Sequence, residues 1–260
     1  MALVPALMTA GAVVTMRLLT WNIHKGIGGL DRRYDPDRIV EVIRHHEPDV
    51  VLLQEIDEDV PRSRHHRQVD VLGDALGFTH RAFAPNVKLK HGHYGNATLA
   101  RFPMVHTVNV NLTLKPKKAR GALLTELAVP GQDRRFSVHI ANWHLGLSAL
   151  ERRWQVAKLM RASALKHLDP HSRLVIAGDA NDWSGAVGRW LVKRGGFTPA
   201  SGIGNRRTRT WPAWRPVGAL DCVYGRGALQ FRHHFTSRLK LAREASDHLP
   251  LVVDLDLDPR

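Results

Sequence analysis

The 260-residue chain has one cysteine, Cys222, which excludes an internal disulfide and a cysteine-rich zinc site and fits a reducing compartment. It has no Pro-, Gly- or Ser-rich linker, internal repeat or low-complexity segment. With 43% hydrophobic content, a single domain around one substantial core is expected. A membrane-length apolar run is also missing. Residues 1–16 are apolar but fall short of the roughly 20 residues needed to cross a bilayer, and they lack the basic start of a secretory signal. They read as a weak signal segment, a packed apolar extension, or residues ahead of a true start at Met16. Residues 17–260 form the expected domain, taken as a cytoplasmic monomer.

Acidic residues are the scarce charge: 24 Asp and Glu stand against 38 Lys and Arg, a formal net charge of +14. Such an excess favours a polyanionic partner, whether nucleic acid, an anionic lipid surface or a phosphorylated substrate. Arginine supplies 28 of the 38, however, and an arginine-heavy balance also arises from genomic coding bias. Composition alone therefore does not establish a binding face. The local clusters are Lys88–His93, Lys115–Arg120 and Arg206–Arg209.

Strand and helix patterns alternate along the chain. Arg17–Trp21 reads as a strand, and Asp35-Pro36 opens a helix whose stripe includes Ile39, Val40 and Ile43. Val50–Leu53 is a continuous apolar run suited to a strand covered on both faces. Four strands are expected between Thr79 and Trp143. Ser148 with Glu151 forms a capping box for a helix to about Leu168, followed by a strand over Arg173–Ala177. A helix over Ser184–Lys193 stops at Gly195-Gly196, and strands near Ala219–Tyr224, Leu229–Thr236 and Leu249–Leu255 close the chain. The class is α/β (α+β), rich in mixed sheet.

Several of these strands end in polar residues. Asn22, Glu55, His144, Asp179 with Asn181, and Asp247-His248 each adjoin an apolar stretch. One carboxylate at a strand end is usually a cap. Several converging in one domain repel unless a cation or protons neutralise them. A hard divalent cation with oxygen ligands answers that need, Mg²⁺ in the first place and Mn²⁺ in the second, and Mg²⁺ keeps waters that a phosphate can share.

The segments TWNIHKG, LLQEID, YGNATLAR, NWHLG, GDAND and SDHLPL, in this order, resemble the endonuclease/exonuclease/phosphatase superfamily from about Arg17 to Leu255. The resemblance implies a four-layer sandwich of two packed mixed β-sheets flanked by helices, and Mg²⁺-dependent attack of water on phosphorus. By position, Glu55 and Asp247 match metal-ligand carboxylates, with Asn22 beside them. Asp179 matches the residue that orients or deprotonates the water, and Asn181 and Asn22 match amides that hold water and phosphate oxygens. His248 matches the histidine beside the phosphate, with Asp221 as its carboxylate partner. His144 matches a second histidine that protonates the leaving oxygen, Asn96 the residue that orients it, and Arg120 a phosphate-facing arginine. His24 stands where some abasic-site endonucleases carry an aspartate, which removes a hard oxygen ligand and argues against that branch; its imidazole either contacts phosphate or is a spectator.

Other signals are weaker. The pairs His45-His46, His65-His66, His91-X-His93 and His233-His234 have no matching half at a zinc spacing. Trp183 and Trp190 are expected in the core, whereas Trp211 and Trp214 lie among arginines and prolines on an expected loop near the substrate rim. The expected activity is that of a phosphodiesterase acting on nucleic acid, a phospholipid or a small phosphoester. The competing reading is a catalytically silent polyanion-binding module on the same fold.

Overall fold

The computed structural model describes residues 13–131, 135–201 and 207–258. Among these residues the strands are β1 (Val14–Asn22), β2 (Val50–Glu58), β3 (His80–Lys88), β4 (His93–Ala100), β5 (Met104–Asn111) and β6 (Gly121–Pro130). They continue with β7 (Arg135–His144), β8 (Arg173–Asp179), β9 (Thr198–Pro199), β10 (Asp221–Arg226), β11 (Leu229–Thr236) and β12 (Leu251–Leu257). The helices are α1 (Pro36–His46), α2 (Gln68–Leu76), α3 (Ala149–Met160), α4 (Ser163–Lys166), α5 (Ala186–Gly195) and α6 (Lys240–Ala245).

Two six-stranded mixed sheets result, ordered β11-β12-β1-β2-β4-β3 and β5-β6-β7-β8-β10-β9. Each contains one parallel pair, β1/β2 or β7/β8, whose crossover carries helix. Three apolar layers follow from the burial pattern. Leu18, Leu52, Val138 and Val175 pack between the sheets, Ile39, Ile43 and Leu72 join the first sheet to its helices, and Leu159, Leu191 and Ile176 join the second to its own. The expected four-layer sandwich is the observed one. No helix of the described residues is long and apolar enough to cross a membrane.

Local signals are realised with shifted limits. Pro36 opens α1, Ser148 Oγ accepts the Glu151 N–H at 3.3 Å at the start of α3, and Gly196 ends α5 at φ 67°. The helix expected to run to Leu168 breaks after Met160 and resumes as α4. Five strands, not four, lie between Thr79 and His144. The first strand begins at Val14, because Val14, Thr15 and Met16 pair with Leu257, Asp256 and Leu255 and Met16 is fully buried. The rest of the apolar extension, residues 1–12, lies outside the described residues.

A polar link crosses the inter-sheet layer. Asn142 on β7 donates to the carbonyls of Leu53 and Ala97 at 3.1 and 2.8 Å, and its Oδ1 accepts from Gln54 Nε2 at 2.8 Å. Each of these bonds joins the second sheet to the first. A buried amide bonded in this way sets how two otherwise apolar faces register.

Candidate active site

The parallel pairs decide where polar residues meet. In open α/β sheets ligands sit beyond the carboxyl ends of strands, where the chain order reverses. Asn22 ends β1, Glu55 lies near the end of β2, and His144 and Asp179 end β7 and β8 in direct register. Gly178 permits that last approach. Its φ is 130°, and a Cβ on it would stand 2.1 Å from the Trp143 carbonyl oxygen, so only glycine lets β8 close on β7 here.

Glu55 is aimed by a bulge. The β2/β4 register shifts between Gln54 and Ile56, and Glu55 takes a left-handed φ of 58°. Bulges re-aim side chains beside active sites. Here the bulge keeps Gln54 in the inter-sheet network while turning Glu55 to the cleft. Lys25 Nζ pairs with Glu55 Oε2, and Tyr94 Oη donates to Oε1 at 3.1 Å. Burial opposes the charge on Glu55, but His144 when protonated and Lys25 outweigh it and hold the carboxyl below the usual carboxylate range.

Asp247 and His248 are fixed from two sides. Ser246 Oγ donates to Asn22 O at 2.7 Å, Trp21 Nε1 donates to His248 O at 2.8 Å, and the Ala213 N–H donates to Asp247 O at 2.8 Å. Gly29 lies against the Asp247 backbone, where a Cβ would stand 2.9 Å from Cα. The two side chains then diverge. His248 Nδ1 donates to Asp221 Oδ2 at 2.8 Å, while the half-buried Asp247 carboxylate accepts, among the described residues, only from the Ser246 hydroxyl, at 3.4 Å. Burial disfavours charge on His248, and Asp221 overcomes it, so its pKa is raised and the ring is an imidazolium at neutral pH.

Asp179 is the point of convergence. Its Oδ2 accepts from Asn22 Nδ2 at 3.0 Å and lies 3.4 Å from His144 Nε2 and 3.9 Å from His248 Nε2; its Oδ1 accepts the Asn181 N–H at 2.9 Å. Burial, with Arg120 nearby, pushes His144 down to about 4. Two imidazoles beside one carboxylate thus rest in opposite charge states.

An open cleft of about 500 Å³ is lined by Asn22, Glu55, Arg120, His144, Asp179 and Asn181 together with Asp247 and His248. Of the expected site residues, Asp221 sits behind His248 as expected. Asn96 does not orient His144: its amide donates to the carbonyls of Gly121 and Asn142, both at 3.2 Å, because it points to the second sheet. Asn22 bridges instead of lying open, with Oδ1 accepting the His24 N–H at 3.1 Å and Nδ2 donating to Asp179. The Asn181 side chain is likewise engaged, donating to Leu145 O at 2.9 Å. Trp183 is not in the core: α5 starts only at Ala186, so Trp183 occupies the preceding turn and is 56% exposed at the cleft rim. Trp190 packs partly against the second helical layer as expected.

Sequence reasoning missed Lys25, Lys118, Tyr94 and Thr210. Thr210 Oγ1 donates to Asp221 Oδ2, completing a Thr210–Asp221–His248 chain. Lys118 lies 4.8 Å from the Tyr94 ring centroid, and burial, then Arg120, lowers its pKa. Lys25 stood in a quoted segment, where its pairing with Glu55 depends on its φ of 63°, which no sequence spacing signals.

The donor chemistry suits a hard cation and an anion side by side. Among the described residues Asp247 has no cation partner and Glu55 already balances an ammonium, whereas the buried Arg120 Nε finds no hydrogen-bond partner. No group of three His, Cys, Asp or Glu with metal-holding geometry occurs among the described residues. A Mg²⁺ ion that retains most of its waters requires only one or two carboxylates.

These features define an open cleft at the mouth of a two-sheet sandwich, lined by carboxylates, imidazoles and cationic side chains. The chain belongs to the Endonuclease/Exonuclease/phosphatase family, whose model matches residues 19–248, and members of that family are phosphoester hydrolases that generally depend on divalent metals. It is 30% identical over 257 residues to the uncharacterized protein YbhP of Escherichia coli strain K12, covering 94% of this chain and 97% of that one. The crystal structure of an endonuclease/exonuclease/phosphatase from Beutenbergia cavernae DSM 12333 superposes with a TM-score of 0.78 at 27% identity, over 94% of this chain and 72% of that chain. The human Nocturnin catalytic domain with bound sulfate gives 0.72 at 22% identity, over 95% and 97%.

Proposed function

We propose that this protein is a Mg²⁺-dependent phosphodiesterase. The observation that carries the reading is the convergence of His144 and His248, from different sheets, on one carboxylate, Asp179, in a cleft also lined by Arg120, whose Nε has no hydrogen-bond partner among the described residues. Glu55, Asp247 and Asn22 would hold the cation, which when bound supplies Lewis-acid polarisation of a phosphoryl oxygen.

The residues divide the proton work. His248 is already protonated, so it has no lone pair for the water's proton and instead stabilises negative charge on the phosphoryl oxygens. Asp179 therefore accepts a proton from the attacking water. His144 enters neutral. An anionic phosphate beside it raises its proton affinity, so on substrate binding it takes a proton from solvent and gives it to the leaving oxygen, while Asp179 returns the water's proton to solvent after the step. Arg120 and Lys118 neutralise the phosphate, and water is added across the P–O bond.

A diester alkoxide needs that leaving-group proton more than a group already ionised does. With Mg²⁺ or Mn²⁺ the protein should hydrolyse bis-p-nitrophenyl phosphate at least about tenfold faster than p-nitrophenyl phosphate, and EDTA should stop it. Absence of turnover on this diester, DNA, RNA and phospholipid by folded, metal-loaded protein would sink the reading.

A further inference from the structure

Around the cleft mouth, one side of the molecule exposes side chains of the kind a core buries. Leu147, Trp183 and Trp211 line the cleft itself. Leu150 is 79% exposed, Leu147 75%, Trp214 58%, Trp183 56% and Val217 54%. These residues come from three adjoining segments. Arg152 ties two of them, donating from Nη1 to Leu147 O at 2.6 Å while Nη2 lies 3.7 Å from Asp182 Oδ1, next to Trp183. Trp183 meets Trp211 edge to face at 5.5 Å and rests on Gly218, where a Cβ would stand 3.1 Å from the indole. Trp214 and Val217 occupy the turn closed by the Trp211–Gly218 bridge. Single exposed apolar residues are ordinary, but a contiguous belt beside a site mouth marks a contact surface.

The belt is set in positive charge. Residues 145–158, 181–196 and 207–220 contain two acids, Glu151 and Asp182, and both are buried. Arg153, Arg194, Arg209 and Arg215 on the same segments are exposed. A groove of about 490 Å³ brings Arg153 and Arg194 together with Leu150 and Trp190. The bias is regional: residues 104–226 hold 20 of the 38 basic and 7 of the 24 acidic residues, a net +13, and the remainder hold 18 and 17, a net +1. Genomic coding bias would load both parts alike.

We propose that this belt docks the protein on an anionic phospholipid surface, with the apolar side chains entering the headgroup layer and the arginines meeting lipid phosphates. Docking places the cleft mouth at the lipid phosphodiesters, which are then the substrate class; this last step rests on the phosphodiesterase reading. Tryptophan and arginine suit the two levels of such an interface. Single-stranded nucleic acid would use the same cations and indole faces. Leu147, Leu150 and Val217 offer it no stacking surface and gain only where an apolar medium receives them.

Sedimentation with vesicles tests the proposal, using the full chain, its Leu150→Ser/Trp214→Ser/Val217→Ser variant, and Trp214→Ser alone. None of the three positions lines the cleft, so hydrolysis of bis-p-nitrophenyl phosphate should stay within about twofold of the unmodified protein, which also reports folding. The unmodified protein should partition onto phosphatidylglycerol/phosphatidylcholine vesicles at least about tenfold more than onto pure phosphatidylcholine, and the triple variant should lose at least about tenfold of that. Trp214→Ser should lie between. The proposal is overturned if the unmodified protein stays in the supernatant with anionic vesicles, or if the triple variant binds them equally. It is also overturned if the substitutions weaken single-stranded DNA binding and leave vesicle binding intact. Vesicle binding by a protein that hydrolyses no diester upholds docking and removes only the phosphodiesterase reading.

Discussion

Residues 104–226 build one sheet and the remainder build the other, on the same plan: β5-β6-β7-β8-β10-β9 matches β11-β12-β1-β2-β4-β3, each with its one parallel step at the centre. Equivalent positions carry unlike chemistry. His144 ends β7 where Asn22 ends β1, Asp179 ends β8 where Glu55 bulges from β2, and Arg120 precedes β6 where His248 precedes β12. Charge differs as well. Arg38, Arg62, Arg67 and Arg81 of the first part are paired with carboxylates, while among the described residues Arg153, Arg209 and Arg215 of the second part make no salt bridge. The shared plan explains where the cleft lies, and the unlike residues and charges explain what each side of it does.

The sharpest way to break the comparison is at Asp179, which both parts reach. Asp179→Ala should lower kcat on a diester by at least about 10³-fold, a loss of roughly 4 kcal/mol in transition-state stabilisation, with the fold retained by circular dichroism. A loss under tenfold would mean that the convergence has no catalytic role.

The next effect is on stability, and the two histidines act in opposite directions. His144 has a folded pKa of about 4 against 6.5 unfolded, so below pH 6.5 the unfolded chain binds a proton that the folded one refuses. Stability should fall by at most about 3 kcal/mol between pH 6.5 and 4, and His144→Gln should flatten that limb. His248 has a folded pKa above its unfolded 6.5, so its stabilisation is complete below pH 6.5 and is lost as pH rises through the folded value. Asp221→Asn should flatten that alkaline limb in urea unfolding followed across pH.

Smaller still is the link between the sheets. Asn142→Ala removes donors to Leu53 and Ala97 and the shortest of the three hydrogen bonds made by Gln54 Nε2, and should cost about 2–3 kcal/mol in urea unfolding. A change under about 0.5 kcal/mol would assign the sheets' registration to apolar packing alone.

Much of this was legible in the chain. Apolar strands leading to Asn22, Glu55, His144 and Asp179 expose the parallel-strand ends, because strand burial and strand termination both leave marks in residue type. The repeat of topology left none. One copy runs continuously while the other is assembled from both ends of the chain, and only hydrophobicity, not residue identity, is shared. Asn96 was misread because a register decides which way a strand residue points, and Trp183 because a two-residue shift in a helix start moves a ring from core to rim. Thr210 carries no sequence signal: it is brought to Asp221 by the bridge between Trp211 and Gly218 and by the Leu249 N–H, which donates to its carbonyl at 2.8 Å.

The central claim is that the two parts form one catalytic unit through Asp179, and a double-mutant cycle between His144 and His248 tests it most directly. Single His144→Ala and His248→Ala substitutions should each lower kcat/KM on bis-p-nitrophenyl phosphate by about 10²–10⁴-fold, and the double substitution should be little worse than the more damaging single one. Losses that multiply, or a His144→Ala enzyme within about twofold of the unmodified one, would contradict it.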